Sequence, residues 1–343
     1  MPKRHGNLYQ QICTVDALYA AFLRAKRGKS NRPAVMRFEA NLGSELQRLA
    51  DELTAGIYRP RPYRTFMVNE HRKARRINAP AFRDVVVQHA IYAVINPIFE
   101  RRFIHDNYGC RINKGTHRAA DQAQRFLRAA PADSVTLQMD IRKFYYSIVR
   151  ATLRKLASQI IKDDRMLDLF MLFAEIEGDD GIGVPIGNLL AQIQAVLYLN
   201  ALDQYVKREM KCRYYVRYVD DFIIFGIANR DEAQAMRRQV ETFLADELGL
   251  ALSRYTIAPV SRGLNFVGFR TWRKTRFVRR HSMHNFSRAM RKGAMPSLVS
   301  IMGNAKHSAS YKHFCRRLNA ERPDLVSQLP QGHRNACTNL SLH

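Results

Sequence analysis

Apolar residues recur along the chain with two periods, and the switches between them mark the elements. Leu46, Leu49, Leu53 and Ile57 fall three to four residues apart, so residues 12–55 read as mainly helical, with Gly56 as a stop. Residues 58–63 are rich in Pro and Arg and predict an extended stretch. Residues 65–68 and 75–77 then read as paired strands with a basic tip, and 85–99 as an apolar-periodic helix. A strand over 134–139 ends at Asp140, and the turn Gly183-Val-Pro-Ile-Gly187 introduces a helix over 189–205. Residues 214–225 are β-branched and aromatic with Asp220 and Asp221 in their middle, which predicts a β-hairpin with two acids at its tip. A helix follows at 233–248, strand character returns at 264–272, and short basic helices begin near residue 282. Beyond residue 330 the periodicity is lost and the chain reads as irregular. This order implies an α+β fold in which helices back one face of an antiparallel sheet and the acids collect on the open face.

Charge narrows the partners. The 343 residues carry 56 Lys and Arg against 30 Asp and Glu, a formal net charge of +26. A globular chain this basic repels itself unless an anion offsets the charge, and the usual anion is a phosphate backbone. The basic clusters at 24–29, 72–76, 270–280 and 316–317 are spread along the sequence, as an extended polyanion in a long channel requires. The five cysteines (Cys13, Cys110, Cys212, Cys315, Cys337) form no C-x-x-C pair and are odd in number. A zinc ribbon or disulfide framework is therefore not expected, and a reducing cytoplasm fits best. The first residues lack the apolar core of a signal peptide, and no apolar run approaches the roughly 20 residues of a membrane span, so no membrane partner is expected.

Two adjacent acids inside an apolar strand pair need compensation. On local sequence alone two readings stand: a solvated turn in which the pair meets Arg217, or a functional cluster. Asp140, which closes its own strand ahead of Phe144-Tyr-Tyr146, favours the second if that strand pairs with the hairpin. Three converging carboxylates suit Mg²⁺, a hard cation that keeps positions for water and phosphate oxygens.

Four blocks in this sequence, in order, resemble those of reverse transcriptases. Tyr218-Val-Asp-Asp221 matches the Y-x-D-D signature, and Met139-Asp-Ile-Arg-Lys-Phe-Tyr-Tyr-Ser-Ile148 matches the block carrying the first metal-binding Asp. Gly183-Val-Pro-Ile-Gly-Asn-Leu-Leu-Ala-Gln192 is similar to the template- and nucleotide-contacting turn and helix, and Gly263-Leu-Asn-Phe-Val-Gly-Phe269 to the hairpin that grips the primer end. The resemblance runs from about residue 7 to 321. It implies a right-hand polymerase: an N-terminal helical extension (1–60), fingers (61–134), a palm (135–275) with a fingers insertion near 183–205, and a thumb with a tail (276–343). For the thumb, an ordinary helical cap explains the basic helices nearly as well.

Site roles follow by the same resemblance. Asp140, Asp220 and Asp221 would be catalytic and, with Ile141, would hold two Mg²⁺ ions, for which Mn²⁺ can substitute. Lys73, Arg75, Tyr145, Ile186, Gly187 and Gln192 would meet the incoming dNTP, with Tyr145 as the bulky gate against a 2′-OH; a packed core aromatic is the alternative for Tyr145. Arg111, Lys114, Asn188, Tyr218, Phe266 and Gly268 would contact template and primer. The implied partners are an RNA template, an RNA/DNA primer–template duplex and dNTPs.

The branch it most resembles is the diversity-generating retroelement group, within the prokaryotic or phage-encoded enzymes. The carrying residues are Lys3-Arg-His-Gly-Asn-Leu8, Val87-Gln-His-Ala90, Pro97-Ile-Phe-Glu100, Tyr108-Gly-Cys-Arg111, Lys114-Gly-Thr-His117 and the Ile186-Gly-Asn188 block. That group implies a dedicated non-coding RNA, a small basic accessory protein oligomer and error-prone copying at adenines, with Ile186 where many relatives place Gln. Val85, Gln138 and Ala191 depart from the group's common Arg, Lys and Ser. Bacterial defence reverse transcriptases copying an associated RNA share much of this pattern. A catalytically idle RNA-binding protein and an RNA-templated RNA polymerase on the same fold are the alternatives from other classes.

Overall fold

The computed structural model describes residues 4–70, 73–176 and 180–339. The N-terminal region is helical as expected. Helix α1 (Val15–Lys26) begins where Thr14 accepts the Ala17 N–H at 3.2 Å and ends with Arg24 and Lys26 in its last turn, cations that suit the helix dipole. Helix α2 (Pro33–Ala40) starts on a proline, whose missing N–H costs nothing at that position. Helix α3 (Leu42–Thr54) buries Leu46, Leu49 and Leu53, and Gly56 at φ 72° ends it.

Strands β1 (Arg64–Glu70) and β2 (Lys73–Ala79) form an antiparallel two-stranded sheet with Val68 opposite Arg75. Helix α4 (Phe82–Glu100) follows, then α5 (Thr116–Ala129), β3 (Val135–Ile141), α6 (Phe144–Ser147), α7 (Arg150–Ser158), α8 (Asp164–Leu172) and α9 (Leu189–Gln204). Strand β3 thus continues through Asp140 instead of stopping there. The acid hairpin is β4 (Tyr214–Tyr218) and β5 (Asp221–Ile227), followed by α10 (Arg230–Leu248) and β6 (Leu252–Pro259). The order β4-β5-β3-β6 defines a four-stranded sheet.

The strand expected over 264–272 is a hairpin. Strands β7 (Leu264–Phe266) and β8 (Phe269–Thr271) fold back at Val267 and Gly268, both with positive φ, and β9 (Arg276–Val278) completes a three-stranded antiparallel sheet. Helices α11 (Arg280–Lys292), α12 (Met295–Ala305), α13 (Ser310–Glu321), α14 (Pro323–Gln328) and α15 (Gln331–Asn339) close the chain. The irregular reading beyond residue 330 is thereby corrected. Helix α15 has little apolar surface, but it buries Cys337 and His333, and Asn319 donates to the Cys337 carbonyl at 2.7 Å.

Two compact units partition these elements: Met1–His105, Asp140–Lys211 and Arg238–Arg254 in the first, and Asp106–Met139, Cys212–Arg237 and Tyr255–His343 in the second. In the first, α9 is apolar on all sides and buries Leu190, Ile193, Val196, Leu197, Tyr198 and Leu199, so it is the central helix against which α4 and α7 pack. In the second, the alanine face of α5 (Ala119, Ala123 and Leu127) shares a core with Val216, Ile223, Phe225 and Phe266. A separate core beneath the C-terminal helices centres on Phe286 and Phe314, stacked at 3.9 Å. Among the described residues, no helix is long and apolar enough to cross a membrane.

Candidate active site

In the second unit the acid hairpin closes with Tyr218 opposite Asp221, leaving Val219 and Asp220 as the turn. Val219 sits at φ 56°, left-handed backbone that a β-branched residue rarely adopts. Its surroundings hold it there. Arg217, only 1% exposed, donates from Nη1 to the Val219 carbonyl at 2.8 Å. The Arg217 backbone exchanges bonds with Asp106 and Tyr108 (3.0 and 2.9 Å), which lays residues 106–109 beside β4. Gly109 is required at that approach, because a Cβ there would stand 2.6 Å from the Val219 nitrogen. Strain of this kind persists only where packing over-determines it, and it fixes where Asp220 begins. The turn lacks Gly or Asn because its shape is imposed by neighbours and not by its own propensity.

Asp221 is half-buried. The Gln138 amide on β3 donates to its Oδ1 at 2.9 Å and to the Asn265 carbonyl at 3.0 Å, linking the acid to the β7–β8 hairpin. Sequence reading noted Gln138 only as a departure from a common Lys; here it is a neutral donor to the Asp221 carboxylate. Burial pushes the Tyr218 phenol above its ordinary pKa. Arg111 donates to the Asn107 carbonyl at 2.8 Å, and the Lys114 ammonium lies 4.8 Å from the Tyr108 ring centroid. Gly268 has φ 91° with open space where a Cβ would stand, so the β7–β8 turn leaves room for a close backbone approach. Phe266, expected at the template and primer, is fully buried in the core beside Val216 and Ile223.

In the first unit, Asp140 is 23% exposed at its side chain. Its carboxylate accepts from the Ser253 hydroxyl through Oδ1 and pairs with Arg254 Nη2 at 3.2 Å through Oδ2. Both partners come from β6, which sequence reading missed because its residues are mostly exposed and show little alternation. Ile141 is buried and offers only its backbone carbonyl to a cation.

The same unit contains the residues expected at the nucleotide. The Tyr145 carbonyl accepts the Val184 N–H at 2.9 Å, and the Ile186 carbonyl accepts the Asn78 N–H at 2.7 Å. The Gly183–Asn188 turn is thereby pinned to Tyr145 on one side and to β2 on the other. Gly187 is forced: its φ is 120°, and a Cβ would stand 2.9 Å from Ile77. Tyr145 is half-buried with its ring 5.5 Å from Phe144; Ile186 is half-buried, and Gln192 is exposed one turn into α9. Arg75 is exposed on β2, whereas the Lys73 side chain lies outside the described residues.

Asn188, expected at the template, is placed inside the turn. It is 2% exposed, caps α9 by accepting the Ala191 N–H at 2.6 Å, and donates to Tyr63 Oη and the Phe173 carbonyl at 3.1 and 3.2 Å. Its amide is spent on positioning the turn. Burial pushes the Tyr63 phenol up to about 12, so that hydroxyl stays protonated.

The donor types available (carboxylates and a backbone carbonyl) fit a hard divalent cation. Among the described residues, however, no group of three or more His, Cys, Asp and Glu side chains is gathered closely enough to hold a metal ion. Asp140 and Asp221 are instead satisfied by Ser253, Arg254 and Gln138.

Residues 68–271 match the family model described as reverse transcriptase (RNA-dependent DNA polymerase). The match spans more than half of the chain, and the chain belongs to that family of RNA-directed DNA polymerases. Protein YkfC of Escherichia coli (strain K12) is 27% identical over 281 residues, covering 69% of this chain and 73% of YkfC. The group II intron-encoded protein LtrA of Lactococcus lactis subsp. cremoris is 22% identical over 337 residues; 76% of this chain is covered, and the chain spans 56% of LtrA. Two solved telomerase structures are similar at lower levels. One, from Candida albicans with the TWJ fragment of telomeric RNA, gives a TM-score of 0.49 at 11% identity over 78% of this chain and 55% of that chain. The other, apo telomerase from Candida tropicalis truncated from the C-terminal domain, gives 0.47 at 12% identity over 67% and 59%.

Proposed function

We propose that the protein copies a dedicated RNA into cDNA by two-metal nucleotidyl transfer, within a diversity-generating retroelement. The observation that carries the chemistry is the strained Val219-Asp220 turn, held by Arg217 and Gly109 and backed by Gln138 on Asp221. Asp140, Asp220 and Asp221, with the Ile141 carbonyl, would hold two Mg²⁺ ions, which supply charge stabilisation to the attacking 3′-oxygen and the leaving pyrophosphate. Arg254, 76% exposed, would release Asp140 as cation and triphosphate enter, because an exposed ion pair is a weak tether. Tyr145, beside the pinned turn, would exclude a 2′-OH, and Arg75 would meet the triphosphate.

The retroelement role is supported by Ile186, an apolar side chain at the turn expected to face the nascent base pair; without a hydrogen-bonding group there, discrimination at adenine would fall. The fingers, palm and thumb limits belong to the same reading. A primer-extension assay with Mg²⁺ and dNTPs tests it. The double variant Asp220→Asn, Asp221→Asn should lose activity by about a thousandfold or more while binding primer–template; robust synthesis by that variant would sink the proposal. Sequencing the cDNA for substitutions opposite adenine tests the finer role.

A further inference from the structure

The N-terminal block Arg4-His-Gly-Asn-Leu8 takes no part in the chemistry above, yet it is tightly placed. The His5 N–H donates to the Ile160 carbonyl at 2.8 Å and the Lys162 N–H to the His5 carbonyl at 2.7 Å, forming a parallel bridge that sets Arg4 beside the segment entering α8. Asp163 fastens the next two residues: its Oδ2 accepts the N–H groups of Leu8 and Tyr9 at 2.7 and 2.8 Å, and its Oδ1 the Met166 N–H at 3.2 Å.

These contacts border an open cleft of about 530 Å³ whose lining includes Arg4, Asn7, Gln10, Lys162, Asp163 and Arg165, all within the first unit. Three cations face one carboxylate, and that carboxylate is committed to three backbone donors. Burial pushes its pKa up, but the N–H groups outweigh burial and hold it below the usual range. Arg165 is pre-positioned: its guanidinium lies 4.1 Å from the Tyr9 ring centroid and donates to the Leu53 and Thr54 carbonyls. Asn7 and Gln10 add polar groups at the rim. A cleft with surplus positive charge, amide donors and room for one sugar-phosphate fits a phosphodiester.

We infer that this cleft is an RNA-phosphate site of its own, which holds a backbone segment of the RNA partner through Arg4, Lys162 and Arg165. The phosphate site is argued from the cleft itself, and the choice of RNA as its occupant rests on the proposed function. The test is fluorescence anisotropy of the full chain with a short RNA hairpin carrying no primer, in the absence of nucleotides, across a salt series. Arg4 and Lys162 are exposed, so Arg4→Ala, Lys162→Ala should keep the melting temperature. The double variant should bind about tenfold more weakly, with the log–log salt slope shallower by about 2. Arg4→Lys, Lys162→Arg should restore both. Unchanged affinity and slope would overturn the site. Adenosine monophosphate and inorganic phosphate form the second arm: displacement of the hairpin by either supports shared phosphate chemistry, whereas mononucleotide binding lost in the double variant with hairpin affinity unchanged overturns the RNA assignment. Primer extension on a pre-annealed short duplex should proceed equally in the variant, which separates failure of this site from failure of the catalytic reading.

Discussion

The antiparallel hairpins β1–β2 and β4–β5 are of similar length and have opposite fates. In β1–β2, Phe66, Met67 and Val68 are 40–61% exposed, and the base is fixed by Asn78, which donates to Ile186 and bonds Thr65 at 3.0 Å. In β4–β5, Tyr215, Val216, Phe222 and Ile223 are fully buried. The buried ribbon can hold a β-branched residue in left-handed backbone because its neighbours leave no alternative, and it carries the acids. The exposed ribbon carries cations and sits in water, where long charged side chains are at ease. Pairing makes a hairpin; burial decides whether it can store strain.

The largest expected contrast is in stability. Ile223→Ala should cost about 2–5 kcal/mol, whereas Met67→Ala should stay within about 0.5 kcal/mol, measured by denaturant unfolding. Equal losses would erase the distinction between the two ribbons. Gly109→Ala sharpens the account of strain: its Cβ would collide with Val219, so the variant should lose about 1–3 kcal/mol and, because Asp220 moves with the turn, most primer extension. Wild-type activity in that variant would show that the turn tolerates displacement. On the exposed ribbon, Arg75→Ala should raise KM for dNTPs about tenfold, a loss of one charge-assisted contact, with the melting temperature unmoved. A change confined to stability would assign Arg75 to the fold instead.

The smallest effect lies between the extremes, at half-buried His89 on α4. Burial first, then Lys29 and Arg24, lower its pKa to about 4 from an ordinary 6.5. The unfolded chain then binds the proton more readily than the folded one. Stability is full above pH 6.5, declines as pH falls from 6.5 toward 4, and levels off below. After allowance for solvent screening the loss is on the order of 1 kcal/mol, and His89→Gln should flatten that part of the profile.

Elements with large apolar residues at regular spacing were legible: α3, α4, α9 and both hairpins fall where the pattern puts them. Helix α5 was missed because its buried face is largely alanine, and β6 because an exposed strand has little alternation to show. The acids and the Gly183–Asn188 turn were legible from residue type. Gln138, Ser253 and Arg254 were not, since a donor to a carboxylate is defined by what lies across the sheet and carries no signal in its own segment.

The sequence by itself determined the family and the strong positive charge and singled out Asp140, Asp220 and Asp221 as candidates, because hydrophobic period, charge and local motif are properties of neighbours along the chain. Tertiary structure alone decided that Val219 is strained, that Asn188 and Phe266 serve packing and positioning, and that Asp140 and Asp221 are held by Ser253, Arg254 and Gln138. Those outcomes depend on contacts between residues distant in sequence, and only folding brings such residues within hydrogen-bond reach.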